Sequence, residues 1–289
     1  MKLIKDYKTN DQYRYSFTTL AKQIFGLDIK SWYEKGFWQD RYIPYSFVES
    51  GQVIANVSVN LLDLMIEGKT YKAIQIGTVM THPDYRGKGL SSQLMQYVLE
   101  EYAGTYDYMY LFANESVLDF YPKFGFKRVE EYQFSTTKGN RSYQNKYLQK
   151  LDVKHKKDLE KVYDMVKNRV PVSNSFATLQ TDSLTMFHCL NGFQDHLYYI
   201  LEEDAIVMFE KRGTVLHVYD IICKKAFHLE QLLEKVTDDQ TDKICLYFTP
   251  EQSQLYEESI YKRNGALFVK EENGLSFPSK RMHPITSEA

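Results

Sequence analysis

The 289-residue sequence predicts a mixed α/β fold, an α+β sheet architecture laid down twice in tandem. Three observations predict it. Antiparallel strand patterns come first and a strand–helix–strand run follows. The same order of elements resumes beyond residue 140. Short strings also recur at a fixed distance. Tyr121 to Phe126 falls on Tyr261 to Ala266, and Gly77-Thr78-Val79 on His217-Val218-Tyr219, both at an offset of 140 residues. Leu111-Phe112 falls on Tyr247-Phe248 at 136, so the second copy is about four residues shorter near one helix start. The expected units are residues 1–140 and 141–289, with the boundary at the polar run Lys138-Gly139-Asn140-Arg141.

Leu3 to Tyr7 reads as a first strand. Asp11 to Phe25 reads as a helix closed by Gly26, and Asp28 to Gly36 as another with Asp28 as its N-cap. Tyr45 to Glu49 and Val53 to Ile66 read as a hairpin around Ser50-Gly51. In its second strand Val53, Ala55, Val57, Val59 and Leu61 alternate with Ile54, Asn56, Ser58 and Asn60, a period-two pattern with one more apolar face. Tyr71 to Thr81 continues the sheet. Pro83 to Gly89 is a loop, and Leu90 to Tyr102 a helix with Leu94, Met95, Val98 and Leu99 on one face. Tyr108 to Ala113 is a strand, Ser116 to Phe124 a short helix stopped at Gly125, and Phe126 to Thr136 a last strand. The second copy follows with strands at Tyr147 to Leu151, Leu197 to Leu201, Ala205 to Glu210, Val215 to Cys223, Ile244 to Phe248 and Ala266 to Glu271. Helices are expected at Lys157 to Lys167, His228 to Val236 and Ser253 to Arg263.

Composition narrows the class. Hydrophobic residues make up 43% and charged residues 26%, an ordinary globular balance with material for a sizeable core. The net charge of -2 gives no pull toward nucleic acid or an anionic membrane. Cys189, Cys223 and Cys245 are an odd number at wide spacing, which argues against a disulfide framework or a zinc site and for free thiols in a reducing compartment. The first residues are charged at positions 2, 5, 6 and 8 and have no apolar core, so no signal peptide is expected. No apolar run reaches the ~18 residues of a membrane span. A cytoplasmic location is the expectation.

One segment carries chemistry. From Thr78 to Met95 a strand enters a loop with two glycines, and the loop enters an amphipathic helix. A helix N-terminus offers free backbone N–H groups and about half a unit of positive charge. Glycine removes the Cβ that would hold an anion away. Arg86 and Lys88 add charge beside it. This is a pyrophosphate cradle by construction.

The string Arg86-Gly87-Lys88-Gly89-Leu90-Ser91 resembles the acetyl-CoA signature of the GNAT superfamily of N-acetyltransferases, Q/R-x-x-G-x-G/A, with Ser91 in place of the last small residue. A second string, Asn114 to Phe126, is similar to the family's N-x-x-A-x-x-x-Y-x-k-x-G-F, with Val117 in place of Ala. The resemblance implies a GNAT acyl-CoA N-acyltransferase fold with acetyl-CoA as co-substrate and no metal. It implies that Val79, Met80 and Thr81 meet the pantetheine arm and the acetyl carbonyl through a bulged strand. Gly87, Lys88, Gly89, Leu90, Ser91 and Ser92 would hold the pyrophosphate, with Arg86 setting up the loop. Asn114 would contact the cofactor arm and Tyr121 would be the general acid. No general base stands out: Met109 occupies the place where some relatives carry Glu, Asp63, Glu67 and the neutral Gln75 lie nearby on strands with the charges read as exposed, and a base acting through water, or no dedicated base, stays open. His82 reads as a loop residue.

At the 140-residue offset the cradle falls on Ala226-Phe-His-Leu-Glu-Gln231, which has no glycine and one carboxylate. The second copy therefore reads as a degenerate GNAT-like domain that walls the acceptor cleft or presents a surface for a homodimer. Tandem GNAT proteins include the Eis-like group, which Ile76 to Gly89 resembles. The implied acceptor is a primary amine on a small molecule or peptide, with no nucleic acid or membrane partner. A non-catalytic acetyl-CoA sensor or scaffold is the alternative.

Overall fold

A computed structural model describes residues 1–137 and 148–289. The expected boundary at Lys138 to Arg141 and the start of the strand at Tyr147 lie outside the described residues. The first half runs β1 (Lys2–Lys5), α1 (Asp11–Phe25), α2 (Ile29–Glu34), β2 (Tyr42–Glu49), β3 (Gln52–Ile66), β4 (Lys69–Thr81), α3 (Leu90–Glu101), β5 (Tyr108–Ala113), β6 (Lys127–Val129) and β7 (Tyr132–Thr137). The second runs β8 (Leu148–Lys150), α4 (Lys156–Lys167), β9 (Phe176–Leu179), α5 (Asp182–Asn191), β10 (Leu197–Ile200), β11 (Ala205–Arg212), β12 (Val215–Cys223), α6 (Leu229–Val236), β13 (Lys243–Leu246), β14 (Glu257–Ile260) and β15 (Ala266–Glu271).

Local chemistry sets the helix ends. Asn10 accepts the Tyr13 N–H at 3.1 Å to start α1, and Gly26 ends it at φ 72, donating to the Lys22 carbonyl. Asp28 accepts the Ser31 N–H at 3.1 Å and starts α2 as expected.

Two sheets form, and their orders are the same. The first is β1-β2-β3-β4-β5-β15-β6 and the second, read from its other end, is β8-β10-β11-β12-β13-β7-β14. Among the described residues the only parallel strand pair in each, β4 with β5 and β12 with β13, is bridged by a helix, α3 or α6. This is the duplicated fold. The copies also exchange a strand: β15 pairs with β5 and β6, while β7 pairs with β13 and β14. A single cut near residue 140 therefore does not separate the two sheets. One further strand crosses over, β9, which pairs with the far end of β3 from Asp63 to Ile66.

The exchange explains where local reading of the sequence departs from the fold. The strand expected from Phe126 to Thr136 is broken at Glu130-Glu131, and its two pieces lie in different sheets. At the break Glu131 is buried, with Arg263 Nε 2.9 Å away and the His283 N–H donating to it at 3.3 Å. The helix expected from Ser253 to Arg263 is a 3₁₀ turn, Ser253–Leu255, followed by β14. All four β14 residues are exposed, so no apolar stripe marked it, and its partner β7 comes from the other half. The helix expected from Ser116 to Phe124 is two 3₁₀ turns, Glu115–Val117 and Tyr121–Phe124. Pro122 lacks an N–H and disfavours α conformation in the residue before it. The unexpected α5 is buried over much of its surface, including Leu184, Met186 and Cys189, so it lacks the one-sided pattern that reveals surface helices.

Gly265 permits the exchanged strand to enter. It has φ +127, and a Cβ there would lie 2.0 Å from the Ala113 carbonyl oxygen. Gly265→Ala is expected to destabilise the protein by about 3 kcal/mol through overpacking and backbone strain, read as a lowered Tm and denaturation midpoint. An unchanged midpoint would show that this crossing yields freely.

Candidate active site

The site begins in β4. It pairs with β5 only from Ala73 to Ile76, so from Gly77 onward the two strands part. On its other edge β4 bulges: Gly77 faces Ser58 and Met80 faces Asn56, leaving Thr78 and Val79 opposite Val57 alone. Thr78 has φ 48, an uncommon conformation for a threonine.

Buried polar groups hold that bulge. Asn56 donates to the Thr78 carbonyl at 2.8 Å and to Ser58 Oγ at 2.9 Å. Ser58 donates to the Tyr42 hydroxyl at 2.9 Å, and Tyr42 meets Thr78 Oγ1 at 2.9 Å. Ser46 donates to Asn56 Oδ1 at 2.8 Å and meets the Tyr7 hydroxyl at 2.6 Å. Burial pushes the Tyr42 phenol up to about 12, so it stays protonated and bonded. Asn56 and Ser58 belong to the polar alternation along β3, and both are fully buried. Polar residues alternating inside a strand between two covered faces were the available signal for this network.

Beyond the bulge the chain turns into α3. Thr81 and Ser91 hydroxyls meet at 2.7 Å, joining the end of β4 to the first helical turn. Arg86 Nε donates to the Thr81 carbonyl at 3.4 Å, and the Lys88 ammonium lies 4.5 Å from the Tyr85 ring centre. His82 accepts the Asp84 N–H at 3.3 Å, a loop role as expected. Gly87 and Gly89 have φ 76 and 74, and the space where each Cβ would project is open for 4 Å. Gly89 is the N-cap of α3, so the N–H groups of Gly89, Leu90, Ser91 and Ser92 have no acceptor within the helix.

Asn114 and Tyr121 follow β5. Asn114 is exposed and makes no side-chain cap bond. Tyr121 is buried, its ring 5.1 Å from Phe120, 6.3 Å from Phe126 and 5.9 Å from Phe268 of the exchanged strand β15. No hydrogen bond to its hydroxyl is found among the described residues, and burial pushes the phenol up to about 12.

Sequence reasoning missed the segment from Met282 to Ala289. It threads between the two copies. Thr286 donates to Asp220, Thr178 donates to Ser287 at 2.8 Å, and Glu288 pairs with Arg263. Gln75 then donates to the Ser287 carbonyl at 2.8 Å and to the Tyr110 hydroxyl at 3.1 Å, and accepts the Ala289 N–H. Ala289 ends up against Gly77, where a Cβ would lie 2.8 Å from that of Ala289. Gln75 is thus a buried tether. Asp63 accepts from Gln180 and Glu67 pairs with Arg281, both at the rim.

The second copy shows the same splay closed. β12 pairs with β13 only from Val215 to Val218. Past that point the Val170 N–H donates to the Cys223 carbonyl at 2.8 Å, and Arg169 grips Asp220 at 2.6 and 2.7 Å. Beside α6 a cavity of about 520 Å³ carries Glu230 and Glu251 and no lysine or arginine.

A family model described as an acetyltransferase (GNAT) domain matches residues 7–129. The chain carries a GNAT acetyltransferase domain. Residues 7–129 therefore form an acyltransferase domain of a kind that in general uses acetyl-CoA and acts on amines. The GNAT fold extends over both copies in the solved structures that are similar. A probable N-acyltransferase of unknown function from Enterococcus faecalis V583 is 13% identical, with TM-score 0.61 over 93% of this chain and 72% of that one. Eis1 from Mycobacterium abscessus is 14% identical, with TM-score 0.57 over 93% and 73%. A GCN5-related N-acetyltransferase from Kribbella flavida is 18% identical, with TM-score 0.56 over 93% and 71%. At such identities the likeness is one of fold. No curated protein matches this chain by sequence. No helix among the described residues is long and apolar enough to cross a membrane.

Proposed function

We propose that this GNAT protein moves the acetyl group of acetyl-CoA to a primary amine of a small molecule or peptide. The observation that carries the reading is the continuous path from a splayed, bulged β4 through a glycine-cornered loop into the N-terminus of α3. The fit to acetyl-CoA rests on the open space beside Gly87 and Gly89 and on helix N–H groups without acceptors. Gly87, Lys88, Gly89, Leu90, Ser91 and Ser92 would take the pyrophosphate, Arg86 would brace the loop, and Asn114 would contact the arm. Bound acetyl-CoA supplies an activated thioester.

The backbone of Val79, Met80 and Thr81 would line the thioester where β4 leaves β5, with a strand N–H facing the oxygen on which negative charge grows. The amine attacks the carbonyl carbon and gives up a proton to solvent, the C–S bond breaks, the sulfur leaves with the electron pair, and a solvent proton restores Tyr121 after its donation. Tyr121 would donate to that sulfur. Its phenol near 12 lies above the ~8.5 of a free thiol, so transfer in water would run uphill. Burial raises the thiol as well, which narrows the gap and lets a hydrogen bond to the leaving sulfur do most of the stabilising. Tyr121→Phe is expected to leave acetyl-CoA binding intact and lower turnover about 100-fold, as thiol release at saturating amine. Unchanged turnover would remove Tyr121 from the mechanism.

The burial of Tyr121, whose phenol is pushed up to about 12, favours a second reading, an acetyl-CoA-binding sensor without turnover. Thiol release with a broad amine panel separates the two. If no amine gives release while acetyl-CoA still raises the Tm, the sensor reading stands.

A further inference from the structure

A small cavity opens at the bulge, on the face of the sheet away from α3. Successive β2 residues point to opposite faces. Tyr45 and Phe47 share a core with Leu94, Met95 and Val98 of α3. Tyr42 shares another with Trp32 of α2 and with Met80. The cavity lies on the Tyr42 side. Its walls are Leu27, Ile29, Trp32, Tyr42, Leu184 and Phe187, and Thr78 and Ala289 stand at the end near the splay. Both copies build it, since Leu184 and Phe187 come from α5.

Resting on the transferase reading above, we propose that this cavity seats the body of the acceptor, and that the acceptor is an amine carried on a compact, uncharged, apolar group. No charged side chain lines the cavity. Its polar side-chain atoms are already engaged: the Tyr42 hydroxyl with Thr78 at 2.9 Å, and Trp32 Nε1 with the Ser183 carbonyl at 2.9 Å. A sugar hydroxyl placed here would lose water against side-chain groups that are already bonded, an unfavourable exchange. A second ammonium would cost more. The volume, about 40 Å³, is roughly three times what one water needs, enough for a few carbon atoms. The walls are stiff, with Trp32 edge-on to Tyr42 at 5.2 Å and to Phe187 at 5.7 Å. A short branched alkyl group fits this description, and a polyhydroxylated polycation does not.

The test is thiol release by the full chain with acetyl-CoA, comparing isobutylamine and isopentylamine with ethanolamine, spermidine and an aminoglycoside. The alkylamines are expected to exceed the polar amines in kcat/KM by about tenfold or more. Phe187→Ala is expected to shift the preference toward a bulkier amine such as phenethylamine, with acetyl-CoA binding, read by its Tm shift, unchanged. Better turnover of spermidine or the aminoglycoside would overturn the proposal while leaving the transferase reading intact. A Phe187→Ala variant that gains longer acyl-CoA donors instead of bulkier amines would also overturn it, placing the acyl chain in the cavity. No release with any amine, alongside an acetyl-CoA Tm shift, would overturn both. Should the variant misfold, the wild-type amine ranking decides alone.

Discussion

Gly89→Glu should abolish acetyl-CoA binding while the protein stays folded. The expected readouts are loss of the Tm rise with acetyl-CoA and a fall in kcat/KM of at least about 100-fold. Gly89 has φ 74 and open space where a Cβ would project, so the new side chain enters the volume assigned to phosphate. A non-glycine residue in that conformation costs about 1–2 kcal/mol. A carboxylate at a helix N-terminus returns part of that by its interaction with the dipole. Stability is thus nearly preserved while a like charge faces the pyrophosphate. Gly89→Ala separates the two effects, since it brings the strain without the charge and should keep weakened binding. An undiminished Tm shift in Gly89→Glu would move the phosphate away from this loop.

Arg263→Ala should be the most destabilising of the single changes considered, by about 3–5 kcal/mol. Arg263 lies between Glu131, 2.9 Å from its Nε, and Glu288, and its guanidinium carbon sits 4.4 Å from the Phe112 ring centre. Without it two carboxylates face each other in the interior where the sheets exchange strands. Burial already pushes Glu131 up to about 7, against the lowering pull of Arg263. A folded pKa above the unfolded one means that protonation favours the fold. The contribution is complete below about 4.5 and is lost as pH rises through about 7. The wild-type Tm should therefore fall between those values, and the fall should steepen in Arg263→Ala, where the opposing charge is gone. A flat Tm profile in both proteins would mean that water reaches this cluster.

Many elements in both halves were legible because their signals are local. Helix α1 ran from Asp11 to Phe25 as read, since Asn10 and Gly26 cap it within the segment itself. Strands β5, β12 and β15 kept their expected limits, because their apolar runs end at turns. The loop from Val79 to Ser92 was readable for the same reason: two glycines with positive φ, a bulge and a helix start lie within fourteen consecutive residues.

What the chain does with distant partners was not legible. Glu130-Glu131 looked like the middle of a strand and is the crossing between sheets, because Arg263 and His283 sit 132 or more residues away. Tyr121 was readable as a motif residue, but the Phe268 beside it arrives only through strand exchange. Gln75 read as a neutral strand residue near the site and is tied to Ser287, because the segment from Met282 to Ala289 is held by partners on both copies. The sequence alone determined the duplicated fold and the two-glycine loop that leads from β4 into α3, since glycine content and helix caps are properties of short segments. Tertiary structure alone decided how the copies share strands, what closes the second splay and what lines the cavity at Thr78. Those depend on side chains that meet only after long loops have closed.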